Sequence, residues 1–353
     1  MRYFVKEVRS EDGVRHTAGI KARDDINDIL ENAGYQPVFV ENRNIEEGSL
    51  LKKLKSHKAV KREWEKSLTD LKSGDELVVQ FPPVNHSLYL YKLFEKFKRE
   101  DIKVSVIIHD MDALRFTARS DISRSKKIRV KLEEQKILES VEQIIAHNDI
   151  MAGALRDMGL DNIVSLEIFD YLINGDASEL KKCVHRRTDP VIIAGALRRH
   201  KAGYAYDLPS SAQFNLYGVG YEGEKRDNVH YFGSFAPDDL PYEMKGSFGL
   251  VWDGDGCDTC RGAYGEYLRI NNPHKTSLYL ASGIPVAIWD QAALAGFIKE
   301  NNCGILISSL EELGRKISSL SDGEYAEMAA NADKTGEKLR NGYYTKKALG
   351  ING

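Results

Sequence analysis

Residues Gly262 to Ser277 read Gly-Ala-Tyr-Gly-Glu-Tyr-Leu-Arg-Ile-Asn-Asn-Pro-His-Lys-Thr-Ser. Asn271 or Asn272 can cap a helix with Pro273 at its first position. Asparagine accepts from the orphan N–H groups there, and the missing N–H of proline goes unmissed. Such a helix start holds anions through its free N–H groups and the positive end of its dipole. Lys275 adds a full charge, and Thr276 and Ser277 add hydroxyl donors. Together with Gly265, Glu266, Asn272 and His274, the segment is a candidate cradle for a diphosphate. The plainer reading is a capped helix that happens to carry one lysine.

Three other places could carry chemistry. Arg198, Arg199, His200 and Lys201 follow an apolar strand that ends at Ala194-Gly195. A pyrophosphate would make charge-assisted hydrogen bonds to such a cluster; the alternative is a solvated basic turn. His16-Thr17-Ala18-Gly19 joins a strand to a helix with small residues, which lets a ligand approach the backbone at Thr17 and Gly19. His109-Asp110 follows the apolar run Val104 to Ile108. A carboxylate there can serve as general base for a hydroxyl nucleophile, or merely cap the next turn. Cys257 and Cys260 have the spacing of a metal knuckle or a redox pair, but no second CxxC or CxxH completes four ligands. Asp253-Gly254-Asp255 reads as a loop rather than a metal site.

These residues sit on a regular framework. Strands are expected at 3–8, 37–40, 76–81, 103–108, 143–146 and 162–166, and helices at 18–32, 50–71, 86–97, 123–141 and 149–158. Strict alternation with apolar strands means a parallel sheet covered by helices, with ligands beyond the carboxyl ends of the strands. The polar stretch 169–187 reads as a link. The pattern then restarts with strands at 190–195, 215–218, 229–232, 248–252, 285–289 and 304–307. Helices are expected at 274–282, 292–301 and 310–320, and one or two more over 322–349. The chain is α/β, in two tandem domains.

Composition narrows the function classes. A length of 353 residues corresponds to roughly two domains. With 42% hydrophobic and 29% charged residues the chain is not disordered. Its 50 Lys and Arg against 53 Asp and Glu exclude a dedicated nucleic-acid binder. The longest apolar runs fall well short of the roughly 20 residues of a membrane span, and Met1 to Lys6 reads as a strand rather than a leader. Four cysteines do not make a disulfide scaffold. A cytoplasmic protein is expected. Leu50 to Lys66 carries Lys52, Lys53, Lys55, Lys58, Lys61, Arg62 and Lys66 against two acidic residues. With Leu51, Leu54 and Trp64 it forms a basic amphipathic helix that can rest on anionic lipid. That would place the protein at the inner face of the plasma membrane. The plainer reading is a solvated helix face. Homo-oligomerisation is left open.

Gly265-Glu266-Tyr267, Asn272 to Ala281 and Gly283-Ile284-Pro285-Val286 resemble the C-terminal domain of the glucosyltransferase-3-like enzymes, a bacterial group that includes beta-galactofuranosyltransferases. The resemblance extends to Ala18 to Asp25, Ile108-His109-Asp110 with Leu114-Arg115, His147-Asn148 with Met151, and Ala194-Gly195 with Leu197 and its basic residues. It also takes in Tyr217-Gly218 and Tyr231 to Phe235.

The resemblance implies a GT-B fold, two Rossmann-like domains facing each other across a cleft. Residues 1–168 would bind the acceptor, completed by a C-terminal helix at 335–353, and 169–334 would bind the nucleotide sugar. It further implies a UDP-hexose donor, galactofuranose or glucose, and a saccharide or lipid-linked saccharide acceptor in cell-surface polysaccharide or glycoconjugate synthesis. Transfer would invert the anomeric centre, with no metal and no cofactor. Asp110 is the first choice of base, with His16 and His109 as alternatives. Tyr217 joins Thr17, Gly19, Arg198, Arg199, Lys201 and the 265–277 residues on the donor side. The family often has Asn where this chain has Ala196, so which of Arg198, Arg199 and Lys201 meets phosphate stays open. A non-catalytic nucleotide-sugar-binding relative is the second reading. An NAD-dependent oxidoreductase is disfavoured, because the first strand–helix junction has no GxGxxG.

Overall fold

The structure, a computed structural model, describes residues 1–8, 18–41, 50–84, 89–116, 121–175, 177–180 and 185–351. Two compact units divide the chain. Met1–Arg15, Ile26–Leu166 and Lys346–Gly353 make the first; His16–Asp25 and Glu167–Thr345 make the second.

The first half alternates as β1 (Arg2–Val8), α1 (Ala18–Asn32), β2 (Gln36–Glu41), α2 (Leu50–Ser67), β3 (Glu76–Phe81), α3 (Leu90–Arg99) and β4 (Lys103–Ile108). It continues with α4 (Asp112–Arg115), α5 (Arg124–Glu139), β5 (Gln143–Ala146), α6 (Asp149–Asp157) and β6 (Ile163–Ser165). All six strands are parallel, in the order β2-β1-β3-β4-β5-β6. β3 and β4 are buried along nearly their whole length, as strands covered on both faces must be.

The second half opens with α7 (Ala177–Leu180), β7 (Val191–Ala196), a 3₁₀ turn at Gly203–Tyr206, β8 (Phe214–Val219), β9 (Val229–Tyr231), α8 (Leu240–Glu243) and β10 (Gly249–Val251). It goes on through α9 (Gly262–Tyr267), α10 (His274–Ala281), β11 (Val286–Trp289), α11 (Ala295–Glu300), β12 (Gly304–Ile307), α12 (Leu313–Ser319), α13 (Asp322–Arg340) and α14 (Tyr343–Ala348). Its sheet is also all parallel, ordered β12-β11-β10-β7-β8-β9. The chain steps outward from β7 to β8 and β9, then returns to the other side of β7 with β10. The ends of β7 and β10 therefore form the switch point, where such sheets bind ligands.

Two local readings differ from the structure. The segment after Leu166 is more than a polar link: Ile168, Phe169, Asp170 and Tyr171 are buried in the second unit. The stretch 322–349, read as one or two helices, forms two, α13 and α14, separated at Asn341-Gly342. Of residues 335–353, those up to Thr345 group with the second unit and Lys346–Gly353 with the first. The buried Tyr344 ring meets Phe297 of α11 edge-on, with centroids 5.9 Å apart, while Tyr343 is exposed.

Candidate active site

The second unit gathers three elements at its switch point, two of them basic. β7 and β8 end in a close backbone contact, where Gly195 and Gly218 pair across the strands. Gly218 takes a φ of 148°, and a Cβ there would lie 1.7 Å from the Gly195 carbonyl oxygen, so no side chain fits. The turn beyond β7 carries Arg198, Arg199 and Lys201. The Arg198 stem lies over Gly220, and the Arg199 guanidinium sits 4.3 Å from the centre of the Tyr206 ring. Lys201 accepts at its carbonyl from the Gly254 N–H, 3.2 Å away, which ties this turn to the loop after β10.

α10 brings the third element. The Tyr279 hydroxyl accepts from the Ala194 N–H in β7 at 2.8 Å, fixing the helix against the sheet. The Lys275 ammonium donates to the Trp252 carbonyl at 2.9 Å and to Asp253 Oδ1 at 2.7 Å, at the end of β10. The arrangement puts the charge of Lys275 and the open N-terminal N–H groups of α10 at the switch point.

The other residues of the 265–277 segment build the helix seat. Pro273, not Asn271 or Asn272, is the N-cap, and no side chain caps the helix. Asn272 instead donates to the Glu167 carbonyl at 3.0 Å. Ser277 donates to the Phe169 carbonyl at 2.6 Å, and Thr276 is fully buried. The two hydroxyls expected to face phosphate are therefore spent on the interior. His274 lies 5.0 Å from the Tyr171 ring and 6.2 Å from that of Phe169. Burial and the nearby Lys21 charge push its imidazole down to about 4, so it stays neutral. Gly265 is packed against the Cys260 backbone, and Glu266 pairs with Arg269 at 2.8 Å. Tyr217 is likewise turned inward: its hydroxyl accepts from the Lys245 N–H, and its ring stacks on Phe232. Phe232, which the resemblance took in without giving it a role, is the member of that stack that reaches solvent.

A buried charged cluster backs α10 and was also missed. Lys21 donates to Asp25 at 2.7 Å and pairs with Asp238 at 2.9 Å. Asp25 accepts from the Leu172 N–H at 3.1 Å. Burial opposes the Lys21 charge, but the two carboxylates outweigh it and hold the ammonium protonated. The sequence signals were the resemblance over Ala18 to Asp25 and a Lys and an Asp four apart on one helix face. Gly19 lies in the first turn of α1; His16 and Thr17 fall outside the described residues.

In the first unit the candidate bases are held firmly. Asp110 Oδ1 accepts from the Met111 N–H at 2.9 Å and Oδ2 from Arg115 at 2.5 Å. Gln80 donates to Asn27 at 2.7 Å, which turns its carbonyl oxygen to His109 Nε2, 2.6 Å away. His109 Nε2 is thus the donor in that bond. Glu134 on α5 accepts from the N–H groups of Asp112 and Ala113 at 3.0 and 2.8 Å and braces the Asp110–Arg115 turn.

Burial pushes the Glu134 carboxyl up to about 7, aided by the charges of Asp112 and Asp110, against the two N–H donors. Its folded pKa lies above its unfolded one. The native state therefore binds the extra proton, and the Glu134 contribution to stability falls as pH rises from about 4.5 to 7. Glu134→Gln is neutral throughout. The substitution should cost least above pH 7 and progressively more toward pH 5, changing by about 1.4 kcal/mol per pH unit. Urea unfolding of both proteins at several pH values measures this, and a pH-independent difference would show that Glu134 is ionised across the range.

Among the described residues, no group of three or more His, Cys, Asp or Glu stands together to hold a metal ion. Burial raises the Cys257 thiol to about 11 and the Cys260 thiol further, the opposite of a reactive thiolate.

Comparison with known proteins accounts for almost the whole chain. Residues 2–168 match the family model described as glucosyltransferase 3-like, N-terminal domain, and 191–350 match glucosyltransferase 3-like, C-terminal domain. The beta-1,6-galactofuranosyltransferase WbbI of Escherichia coli (strain K12) is 34% identical over 350 residues, covering 98% of this chain and 97% of that protein. Glucosyltransferase 3 of Streptococcus gordonii is 26% identical over 281 residues, 78% of each. Among solved structures, sucrose-phosphate synthase from Thermosynechococcus elongatus superposes with a TM-score of 0.62 at 12% identity, over 99% of this chain and 97% of that one.

Proposed function

The chain belongs to the glucosyltransferase 3-like family and is a glycosyltransferase of GT-B fold, and from that premise we propose its donor, acceptor and mode of transfer. The donor is a UDP-linked hexose, galactofuranose or glucose. The acceptor is a saccharide or lipid-linked saccharide of cell-surface polysaccharide or glycoconjugate synthesis. The observation that carries the donor reading is the meeting of Lys275, the open end of α10 and the Arg198–Lys201 turn at one switch point. A diphosphate needs such fixed positive charge most when it leaves, because its charge grows as the anomeric bond breaks.

Transfer is a single displacement with inversion. The acceptor oxygen bonds to the anomeric carbon while the bond to the β-phosphate oxygen breaks, and UDP departs with that electron pair. The hydroxyl proton passes to a general base, for which Asp110, His109 and His16 are the candidates. Arg115 engages Asp110, and Gln80 holds His109 through its Nε2. Asp110→Asn and His109→Asn, compared by kcat at several pH values, separate the two.

A thermal-shift screen of nucleotide sugars tests the donor. A ligand at a hundred times its Kd stabilises the native state by about 2.7 kcal/mol, and UDP-galactofuranose or UDP-glucose should stand out. Turnover by the purified chain alone excludes a non-catalytic accessory role. Side chains and N–H groups supply the positive charge, so transfer should survive EDTA unchanged. Activity lost in EDTA and restored by magnesium or manganese would overturn the metal-independent reading.

A further inference from the structure

The outer helical layer of the first unit is strongly basic, in a chain whose net charge is −3. α3 packs against α2 on one side and α5 on the other. α2 carries seven Lys and Arg against two Glu, α3 four against one, and α5 six against three. Few of those acids face solvent. Glu63 and Glu134 are buried, Glu65 pairs with Lys61, and Glu133 lies 3.5 Å from Arg129. On α3 the cations are partly matched, Lys96 by Glu100 and Lys98 by Glu142. The surplus is therefore on the two flanking helices. Lys52, Lys55, Lys58, Arg62 and Lys66 follow one another at three- and four-residue steps, and all are exposed. They form a single stripe along α2.

α5 adds a feature that charge does not explain. Its buried side is made by Glu134, Ile137 and Leu138, and the opposite side presents Ile128 and Leu132, 52% and 53% exposed. Four residues apart, they form one apolar ridge pointing away from the protein. Exposed Arg124 and Lys131 flank it on one side, exposed Arg129 and Lys136 on the other. A solvated surface helix turns its apolar residues inward. An outward apolar ridge rimmed by cations fits a bilayer surface, where the cations meet anionic headgroups and the ridge enters the acyl boundary. A polyanion in water would match the charges and leave the ridge exposed.

We propose that α5, supported by the α2 stripe, docks this protein on an anionic phospholipid surface. Each cation near such a surface strengthens binding about fivefold. The ridge adds an apolar, salt-insensitive component. The site residues of the second unit are not involved, so the surface would act by residence at the membrane.

Sedimentation with large unilamellar vesicles tests the proposal. The protein should pellet with vesicles rich in phosphatidylglycerol and remain in solution with pure phosphatidylcholine, and added salt should release most of it. Arg124→Glu with Arg129→Glu and Lys131→Glu should lower partitioning at least about a hundredfold. Ile128→Ser with Leu132→Ser should weaken binding and leave its salt dependence. Both variants should keep the wild-type circular dichroism and melting temperature. Trp64, Trp252 and Trp289 are buried, so an Ile128→Trp variant reports on the ridge itself. Its emission should shift blue on anionic vesicles and be quenched by brominated acyl chains. Failure to pellet at low salt, or pelleting unaffected by either variant, would overturn the proposal. So would a water-like Ile128→Trp signal, or a dimer that the Ile128→Ser, Leu132→Ser variant abolishes, which would assign the ridge to a second copy of the chain.

Discussion

Lys275→Ala should reduce kcat/KM by about 10² to 10³, the usual cost of losing one preorganised donor to a developing charge. The same change should also destabilise the protein. Asp253 is buried, and Lys275 is its charged partner at 2.7 Å. Removing one member of such a pair leaves an uncompensated carboxylate and costs on the order of 3 kcal/mol. A loss of activity alone would therefore be ambiguous. Combining Lys275→Ala with Asp253→Asn resolves it: the melting temperature should recover, and turnover should stay low. Recovery of turnover along with stability would mean that Lys275 holds the fold and does not serve the diphosphate. Near-normal turnover in the single variant would remove it from the site outright.

The second large effect concerns the C-terminal helices. Deleting residues 335–353 should abolish nucleotide binding, because the second unit loses part of its own core. Leu339, Tyr344 and Thr345 are buried within it. Arg340 donates to the Ala281 carbonyl at the end of α10, 2.5 Å away. Asp170 accepts from the N–H groups of Tyr344 and Thr345 at 3.1 and 2.7 Å, and deletion leaves that carboxylate buried without them. Loss of each large side chain forfeits about 1.5–3 kcal/mol of burial, and stranding the carboxylate adds several more. Together these approach the whole stability of a domain. Calorimetry should show no cooperative transition for the second unit, and titration with UDP no heat. A truncated protein that keeps UDP affinity and loses only transfer would instead mean that these helices serve the first domain.

Both sheets were legible because parallel strands buried on two faces read as apolar runs separated by helical periods. Val104 to Ile108 and Val286 to Trp289 are clear examples. The position of Lys275 was legible too, since a proline directly before a helix marks its first turn. Local pattern could not say which polar residues of that turn look outward. Asn272, Ser277 and His274 are all drawn to the segment 167–171, about a hundred residues earlier in the chain. The same limit hid the Lys21–Asp25–Asp238 cluster, whose members meet across more than two hundred residues. The resemblance put Tyr217 on the donor side; local pattern could not show that its hydroxyl accepts from the Lys245 N–H.

The contact between Gly218 and Gly195 has a genetic corollary. A side chain at 218 would meet a main-chain carbonyl oxygen 1.7 Å away, which every residue type at 195 possesses. Trimming a neighbouring side chain cannot relieve that collision. Suppressor selections starting from Gly218→Ala should therefore return true revertants to glycine and no second-site rescues. Selections starting from Gly220→Ala differ in part: the flexible stem of Arg198 can give way there, although the φ of 81° still strains any side chain. Compensating changes should arise at Arg198 and restore function in part.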